Sequence, residues 1–452
     1  MSKHMKNRTE ISQQHSGHNY ATNHGIDILE IFPQEIKIEQ NYSATFAGNM
    51  VLPIHKWYRY TAGFSAIWAK QLIELHKSKG RTRVIDPFAG SGTVLLESEF
   101  ENVESMGLES HPYIYRIAKT KLAWNYPAEK FKESALLLLH QAKKKKINKT
   151  DFPKLILSCY PLDIIQKLEA LKQTWLETEQ EKEIKDFNWF VITSILRTTS
   201  PVGTAQWQYI QPNKTKAKVI DPFVAYENKV NEMYFDMKGL QNKNKNVKYA
   251  KLFNEDARDI KSIPKGWGDL VITSPPYANN YDYADATRLE MTFWGDINGW
   301  CDLQENVRKH LVRACTQHVS KLGNEIESIL SDCKLKPIQE ELSEVYETLK
   351  LERLKHGGKK NYHLMIAAYF KDLAEVFHSL RSVTNENCLM CFVIGDSAPY
   401  GIYVPVDKWL GELAVSAGFD SYSFEKLRDR NVKWKNRKHT VPLQEGRLWI
   451  KG

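Results

Sequence analysis

No run of about 18 uncharged apolar residues occurs in the 452-residue chain, so no membrane-spanning helix is expected. The opening MSKHMKNRTEISQQHSGHNY lacks the apolar segment of a signal peptide, and the expectation is a soluble protein retained in the cytoplasm. Cysteine is scarce: the 6 residues, at 159, 301, 315, 333, 388 and 391, are too few and too scattered for a disulfide framework, which suits a reducing compartment. Cys388 and Cys391 form a CxxC, but they sit in the apolar run NCLMCFVIGD with no second pair, so they read as buried strand residues, and no metal is expected. Charge of one sign is not extreme. Lys plus Arg number 63 and Asp plus Glu 54, a net charge of +9 that permits a polyanionic partner without requiring one. Internal repeats are absent; echoes of VIDPF at Val219 to Phe223 and of VITS at Val191 to Ser194 keep neither the glycines nor the prolines that follow the first copies.

What is present is an α/β rhythm broken twice. Residues 1–40 read as a mostly disordered tail: the first 25 or so are polar and rich in Asn, His, Ser and Gln without hydrophobic period, and order is expected to begin near Ile26. Residues 41–125 begin the α/β domain. Phe64, Ile67, Trp68, Leu72 and Leu75 share one helical face, the β-branched strand Thr82 to Ile85 follows, and VLLESEF can propagate a helix after the glycine-rich DPFAGSGT. Residues 126–248 form an inserted region with Lys runs at Lys143 to Lys146 with Lys149 and at Lys243, Lys245 and Lys248; Tyr160 to Leu196 reads as mostly helical. Residues 249–304 return to the strand pattern with DLVIT, and 305–360 are charged and helical without a strand candidate. In 361–452 a helix over Asn361 to Val383, a buried strand over Cys388 to Ile394 and a helix over Val406 to Ala417 precede two strands, Tyr422 to Leu427 and Arg447 to Lys451, placed as a hairpin-like edge. The alternation predicts a mostly parallel sheet with an antiparallel C-terminal edge.

Two motifs carry chemistry. In DPFAGSGT, Asp86 to Thr93, Gly90 and Gly92 let the backbone turn tightly and approach a ligand, and the helix that follows offers unpaired amides. No Lys-Ser or Lys-Thr pair follows the glycines, and Leu95 stands where GxGxxG needs its third glycine, so this is not a phosphate loop. Glu109, in MGLESHP, falls at the end of the second strand, where an acid can accept both hydroxyls of a ribose. The combination of Asp86, Phe88, Ala89, Gly90, Gly92 and Glu109 suits a nucleoside bound without a grip on phosphate. The second motif is Ser274, Pro275, Pro276 and Tyr277, directly after Leu270 to Thr273. Two prolines fix φ and lack amide hydrogens, so the segment projects rigidly with its carbonyls outward. An amine can donate its hydrogens to the Ser274 hydroxyl and the Pro275 carbonyl while a planar base stacks on Tyr277.

With these motifs in place the chain resembles the S-adenosylmethionine-dependent DNA amino-methyltransferases, and within them the cytosine-N4 branch, whose catalytic motif is SPPY where adenine enzymes carry DPPY. PIHKWYRYTAGFS, Pro53 to Ser65, resembles the family's segment that closes over the methionine end of the cofactor; NEDARD resembles its third-strand motif, which implies that Asp256 meets the adenine amino group; HTVPLQEG resembles the end of several members. The resemblance implies a Rossmann-like class I methyltransferase sheet with two insertions, S-adenosyl-L-methionine as cofactor, duplex DNA as partner, and a restriction-modification setting in which a separate endonuclease would share the site. The cofactor motif precedes the catalytic one, whereas many SPPY enzymes have the reverse order.

Three alternatives share part of this pattern: a DNA adenine-N6 enzyme, since the adenine amine poses the same chemical problem; a tRNA guanine-N2 methyltransferase, which would carry Asp at position 274 and an N-terminal RNA-binding domain; and a silent DNA-binding subunit. A cytosine-C5 enzyme needs a thiolate, commonly from a Pro-Cys pair, and no cysteine here follows a proline. For reading DNA the first insertion is favoured, through Trp207, Gln208, Tyr209, Gln211 and Asn213 with Lys214, Lys216 and Lys218; the alternative readers are the later insertion, otherwise read as a packing or dimer element, and KWKNRKH near the C-terminus.

Overall fold

The computed structural model describes residues 46–204, 209–216, 218–243, 247–320, 322–430 and 441–452. The tail expected over 1–40, the KWKNRKH stretch, Trp207, Gln208 and Lys245 lie outside the described residues.

Seven strands form one sheet: β1 (Arg83–Asp86), β2 (Glu104–Leu108), β5 (Lys251–Phe253), β6 (Gly268–Thr273), β7 (Thr384–Gly395), β8 (Ser421–Arg430) and β9 (Leu443–Lys451). Their order is β5-β2-β1-β6-β7-β9-β8, while β3 (Val202–Thr204) and β4 (Ile210–Thr215) make a separate antiparallel pair. The first five are parallel, and β9 runs antiparallel to both β7 and β8. This is the Rossmann-like methyltransferase sheet, mostly parallel with an antiparallel edge, that the sequence leads one to expect. The last two strands pair with each other at the antiparallel edge, and β9 lies inside β8 because it is apolar on both faces: Leu448 and Ile450 pack to one side and Trp449 to the other. The half-exposed β8 takes the edge.

Strand alternation sorts the two layers. Ile85, Val271, Met390 and Phe392 face the helices Tyr362–Val383 and Val406–Ser416, whereas Val84, Leu270, Ile272, Leu389 and Val393 face the helix Ala66–Ser78. Ser65 starts that last helix by accepting the Trp68 amide at 3.3 Å. Cys388 and Cys391, three residues apart on β7, fall on opposite faces and are fully buried, as befits strand residues.

Between β2 and β5 the chain builds a helical module from Ala128–Lys144, Leu162–Glu177, Lys182–Thr199 and Pro222–Lys243 around Phe131, Leu168, Phe187, Phe190, Tyr226 and Met233. Its core is continuous with Ile54 and Trp57 on one side and Leu289, Met291 and Phe293 on the other. In the VIDPF echo Asp221 accepts the Phe223 amide at 2.9 Å at the start of the helix Pro222–Lys243 and pairs with Lys167 at 2.6 Å, and the VITS echo lies within the helix Lys182–Thr199. In the second insertion the helix Gln339–Lys355 buries Leu342, Tyr346 and Leu349 and packs on Tyr362–Val383. Among the described residues no helix is long and apolar enough to cross a membrane.

One buried carboxylate joins several of these parts. Asp372, in the helix Tyr362–Val383, accepts from Arg258 Nη1 at 3.1 Å, from the Arg313 amide at 2.9 Å and from Arg313 Nε at 3.0 Å, and the two guanidinium groups hold it below the ordinary carboxylate range against the cost of burial. Removing one member of such a buried cluster strands the others. Asp372→Ala should cost about 3 to 5 kcal/mol, read as a lowered urea midpoint; a midpoint equal to the parent protein's would show that the cluster is dispensable.

Candidate active site

The two motifs lie 188 positions apart in the chain (274 minus 86) and meet because β1 and β6 are parallel neighbours, with Val84 opposite Leu270 and Ile85 opposite Val271. Asp86 ends β1 and Thr273 ends β6, and the Thr273 hydroxyl donates to the Asp86 carboxylate at 2.7 Å. The same oxygen accepts the Phe88 amide at 3.1 Å, which shapes the turn. Burial pushes the Asp86 pKa up to about 7.

Gly90 and Gly92 have φ of +52° and +84°, the left-handed region that L side chains rarely enter. A Cβ on Gly90 would also come to 3.0 Å from Tyr60 Cε1. Tyr60 belongs to the Pro53 to Ser65 segment, which is thereby placed over the turn. That segment is anchored by a residue its own sequence does not reveal: Asp236 accepts from the Ile54 amide at 3.2 Å, Trp57 Nε1 at 3.0 Å and Lys56 Nζ at 2.8 Å. Ile54 itself is a buried β-branched residue at φ +64°, so the anchor holds a strained backbone.

Glu109 stands just beyond β2. Its two oxygens accept the amides of Gly90 at 2.9 Å and His111 at 2.7 Å, and burial pushes its pKa up to about 8. Around this turn lies an open cleft whose wall includes Tyr60, Phe64, Asp86, Phe88, Ala89, Gly90, Glu109, His111, Ser274, Pro276 and Tyr283. Gly92 sits behind it as the N-cap of the helix Thr93–Phe100. Pro275 and Tyr277 flank the wall without forming it. Asp256 is also outside it: Arg258 Nε lies 3.0 Å from both of its carboxylate oxygens, so the acid is tied into the Asp372 cluster. His111 is not among the residues the sequence motifs single out, although MGLESHP places it right after the acid. Its Nε2 pairs with Thr287 Oγ1 at 3.0 Å, and its buried Nδ1 has no hydrogen-bond partner among the described residues; burial lowers the ring's pKa to about 3, so the imidazole is neutral.

Ser274 shows how an amine could be held. Its hydroxyl donates to the Val393 carbonyl at 3.1 Å, which commits the only hydrogen and leaves the oxygen as an acceptor. Burial raises the Tyr277 phenol well above its ordinary range against a hydrogen bond with Ser274, so it stays protonated. The Arg430 guanidinium lies 5.2 Å from the centre of the Tyr277 ring and donates to the Asp396 carbonyl at 2.8 Å. Further along the loop, Asn280 accepts from the amide and hydroxyl of Thr316, each at 2.8 Å, and Arg308 forms a buried ion pair with Asp282 at 2.6 Å.

The residues favoured for reading DNA divide. Asn213, Lys214 and Lys218 are exposed and Gln211 half-buried, but Lys216 donates to the Arg197 carbonyl, and Tyr209 is turned onto the catalytic loop.

The two acids make a pH prediction. A carboxyl whose folded pKa lies above its unfolded value near 4.5 favours folding fully below that value, and the benefit is lost as pH rises through about 8. Stability should therefore decline from about pH 5 to 8, and Glu109→Gln should make that decline shallower in thermal melts; an equal decline in both proteins would mean that Glu109 is ionised in the fold.

No family model and no solved structure matches the chain. Relatives are nevertheless found along nearly its whole length. It is 24% identical over 431 residues to the Type II methyltransferase M.BsoBI of Geobacillus stearothermophilus, a match covering 85% of this chain and 82% of that one. The Type II methyltransferase M.AvaI of Nostoc sp. is 25% identical over 428 residues, covering 86% and 84%. The Type II methyltransferase M.MvaI of Kocuria varians is 20% identical over 442 residues, covering 90% and 92%. Over most of its length, then, the chain is similar to Type II methyltransferases.

Proposed function

We propose that the protein is a site-specific DNA methyltransferase that moves a methyl group from S-adenosyl-L-methionine to the exocyclic N4 amine of cytosine in duplex DNA, within a restriction-modification system. The observation that carries this is Ser274: its hydrogen is committed to Val393, and the residue lines the same cleft as the glycine turn. The similarity to Type II methyltransferases supports the same reading.

The cleft fits the cofactor. Gly90 leaves room beneath Tyr60 that a side chain would fill, and Glu109 can accept ribose hydroxyls. Asp86, Phe88, Ala89, Gly90, Gly92 and Glu109 would hold it; Asp256, paired with Arg258, is left out of that set. When bound, the cofactor supplies an electrophilic methyl group.

The chain's own residues solve the other half of the problem. The lone pair of cytosine's amine is delocalised into the ring, so the nitrogen is a poor nucleophile until both N–H bonds are held and it rehybridises. Ser274 Oγ and the Pro275 carbonyl can accept those two hydrogens and stabilise the positive charge that develops on nitrogen, so rate comes from positioning and fixed acceptors without a covalent enzyme intermediate. In a duplex the amine is paired and stacked, which requires the base to be extruded; Tyr277, steadied by Arg430, would stack with it. The choice of cytosine over adenine rests on Ser at 274, in the resemblance to SPPY enzymes.

Incubation with labelled S-adenosyl-L-methionine and duplex DNA or RNA, followed by digestion to nucleosides, should yield labelled N4-methyldeoxycytidine. N6-methyldeoxyadenosine would keep the mechanism and overturn the base, and label confined to RNA guanosine would overturn the substrate. If the first insertion grips phosphates, Lys214→Ala with Lys218→Ala should reduce the slope of log affinity against log salt by about 2, whereas Lys216→Ala should change it little. An unchanged slope in the double variant would move DNA contact elsewhere.

A further inference from the structure

Tyr209 immediately precedes β4, at the turn end of the β3–β4 hairpin of the first insertion, yet its ring stack and its hydroxyl hydrogen bond are both made with the loop that follows the SPPY motif. Its ring stacks on Tyr281, with centroids 5.3 Å apart and planes 26° from parallel. Its hydroxyl oxygen accepts the Asp282 amide at 2.7 Å. Asp282 is buried, its carboxylate begins the helix Tyr283–Ala286, and Arg308 neutralises it. Tyr281 in turn meets Tyr283 edge-on at 4.6 Å, and Tyr283 lines the cleft beside Ser274. The path from hairpin to reactive site is therefore two aromatic contacts and one hydrogen bond long.

The hairpin has the opposite character on its other side. Pro212, Asn213, Lys214 and Thr215 are exposed, whereas Lys216 is fastened to the helical module through the Arg197 carbonyl. β4 thus carries exposed polar groups along its length and is held at both ends, by Tyr209 at the turn end and by Lys216 just past the open end. We infer that Tyr209 is a positioning residue: it sets the Tyr281–Asp282 backbone, and so the loop bearing Ser274 and Tyr277, according to how the β3–β4 hairpin is seated, so that nucleic acid held along the hairpin aligns the methyl acceptor. This rests on the proposed function for the identity of the acceptor, but not for the mechanical link.

Two variants separate the contacts. Tyr209→Phe keeps the stack and leaves the Asp282 amide without its acceptor; Tyr209→Ala removes both. An unmet buried donor corresponds to a loss of about five- to a hundredfold. Single-turnover methyl transfer to saturating duplex DNA should slow within that range in Tyr209→Phe and further in Tyr209→Ala, with DNA and cofactor dissociation constants within about threefold of the parent's. Hydrogen exchange of the Asp282 amide, measured without nucleic acid, should quicken by the same factor in both variants. Rates within twofold of the parent's, or a loss appearing only as weaker DNA binding, would overturn the inference. So would unchanged exchange at Asp282, an arm that needs no methylation. Should the parent protein label no nucleic acid, the proposed function fails and the exchange result alone decides whether Tyr209 holds the loop.

Discussion

The hydrogen bond from Thr273 to Asp86 joins the ends of two parallel strands, and everything chemical in the molecule hangs from those ends. In an open α/β sheet, ligands gather beyond the carboxyl ends of the strands. Here β1 delivers the glycine turn, β2 delivers Glu109, β6 delivers Ser274, and β7 supplies the Val393 carbonyl that orients the serine hydroxyl. Each is a short backbone step past a strand whose register is locked by its neighbours. The side chains inherit that precision, and a one-residue slip of β6 against β1 would turn every one of its side chains to the other face.

The parts of this arrangement visible in the sequence are those encoded locally. Gly90 and Gly92 stand where φ must be positive, and Pro275 and Pro276 fix a projection, so both motifs can be located from the order of residues alone. Strand alternation in LVIT and CLMCFVI reports burial on both faces. What cannot be read there is encoded by distant partners. Asp236 in a helix of the insertion looks like any surface acid until Ile54, Lys56 and Trp57 are found around it. The family resemblance assigns Asp256 to the cofactor, and its ion pair with Arg258, which links it on to Asp372, shows only in the folded chain. The interior placement of β9 is likewise a matter of which surface the sheet has left to cover.

The first insertion is less separable than its composition suggests. Its hydrophobic core runs without a break into residues on both sides of the cleft, and Tyr209 and Arg197 reach the segment after the SPPY motif, the latter through Glu290 and the Ala286 carbonyl. An inserted module joined this way is part of the architecture of the site.

The placement of the cysteines has a practical side. On β7, Cys388 and Cys391 are separated by the thickness of the sheet, so they cannot pair with each other by oxidation, and burial raises both thiols above their ordinary range, which keeps them out of reach as thiolates. Cys301 and Cys333, by contrast, are exposed, and both lie after the SPPY loop and away from the sheet. Thiol-directed probes would therefore report from the periphery, and a spectroscopic label can be carried there while the strands that hold the chemistry remain chemically silent.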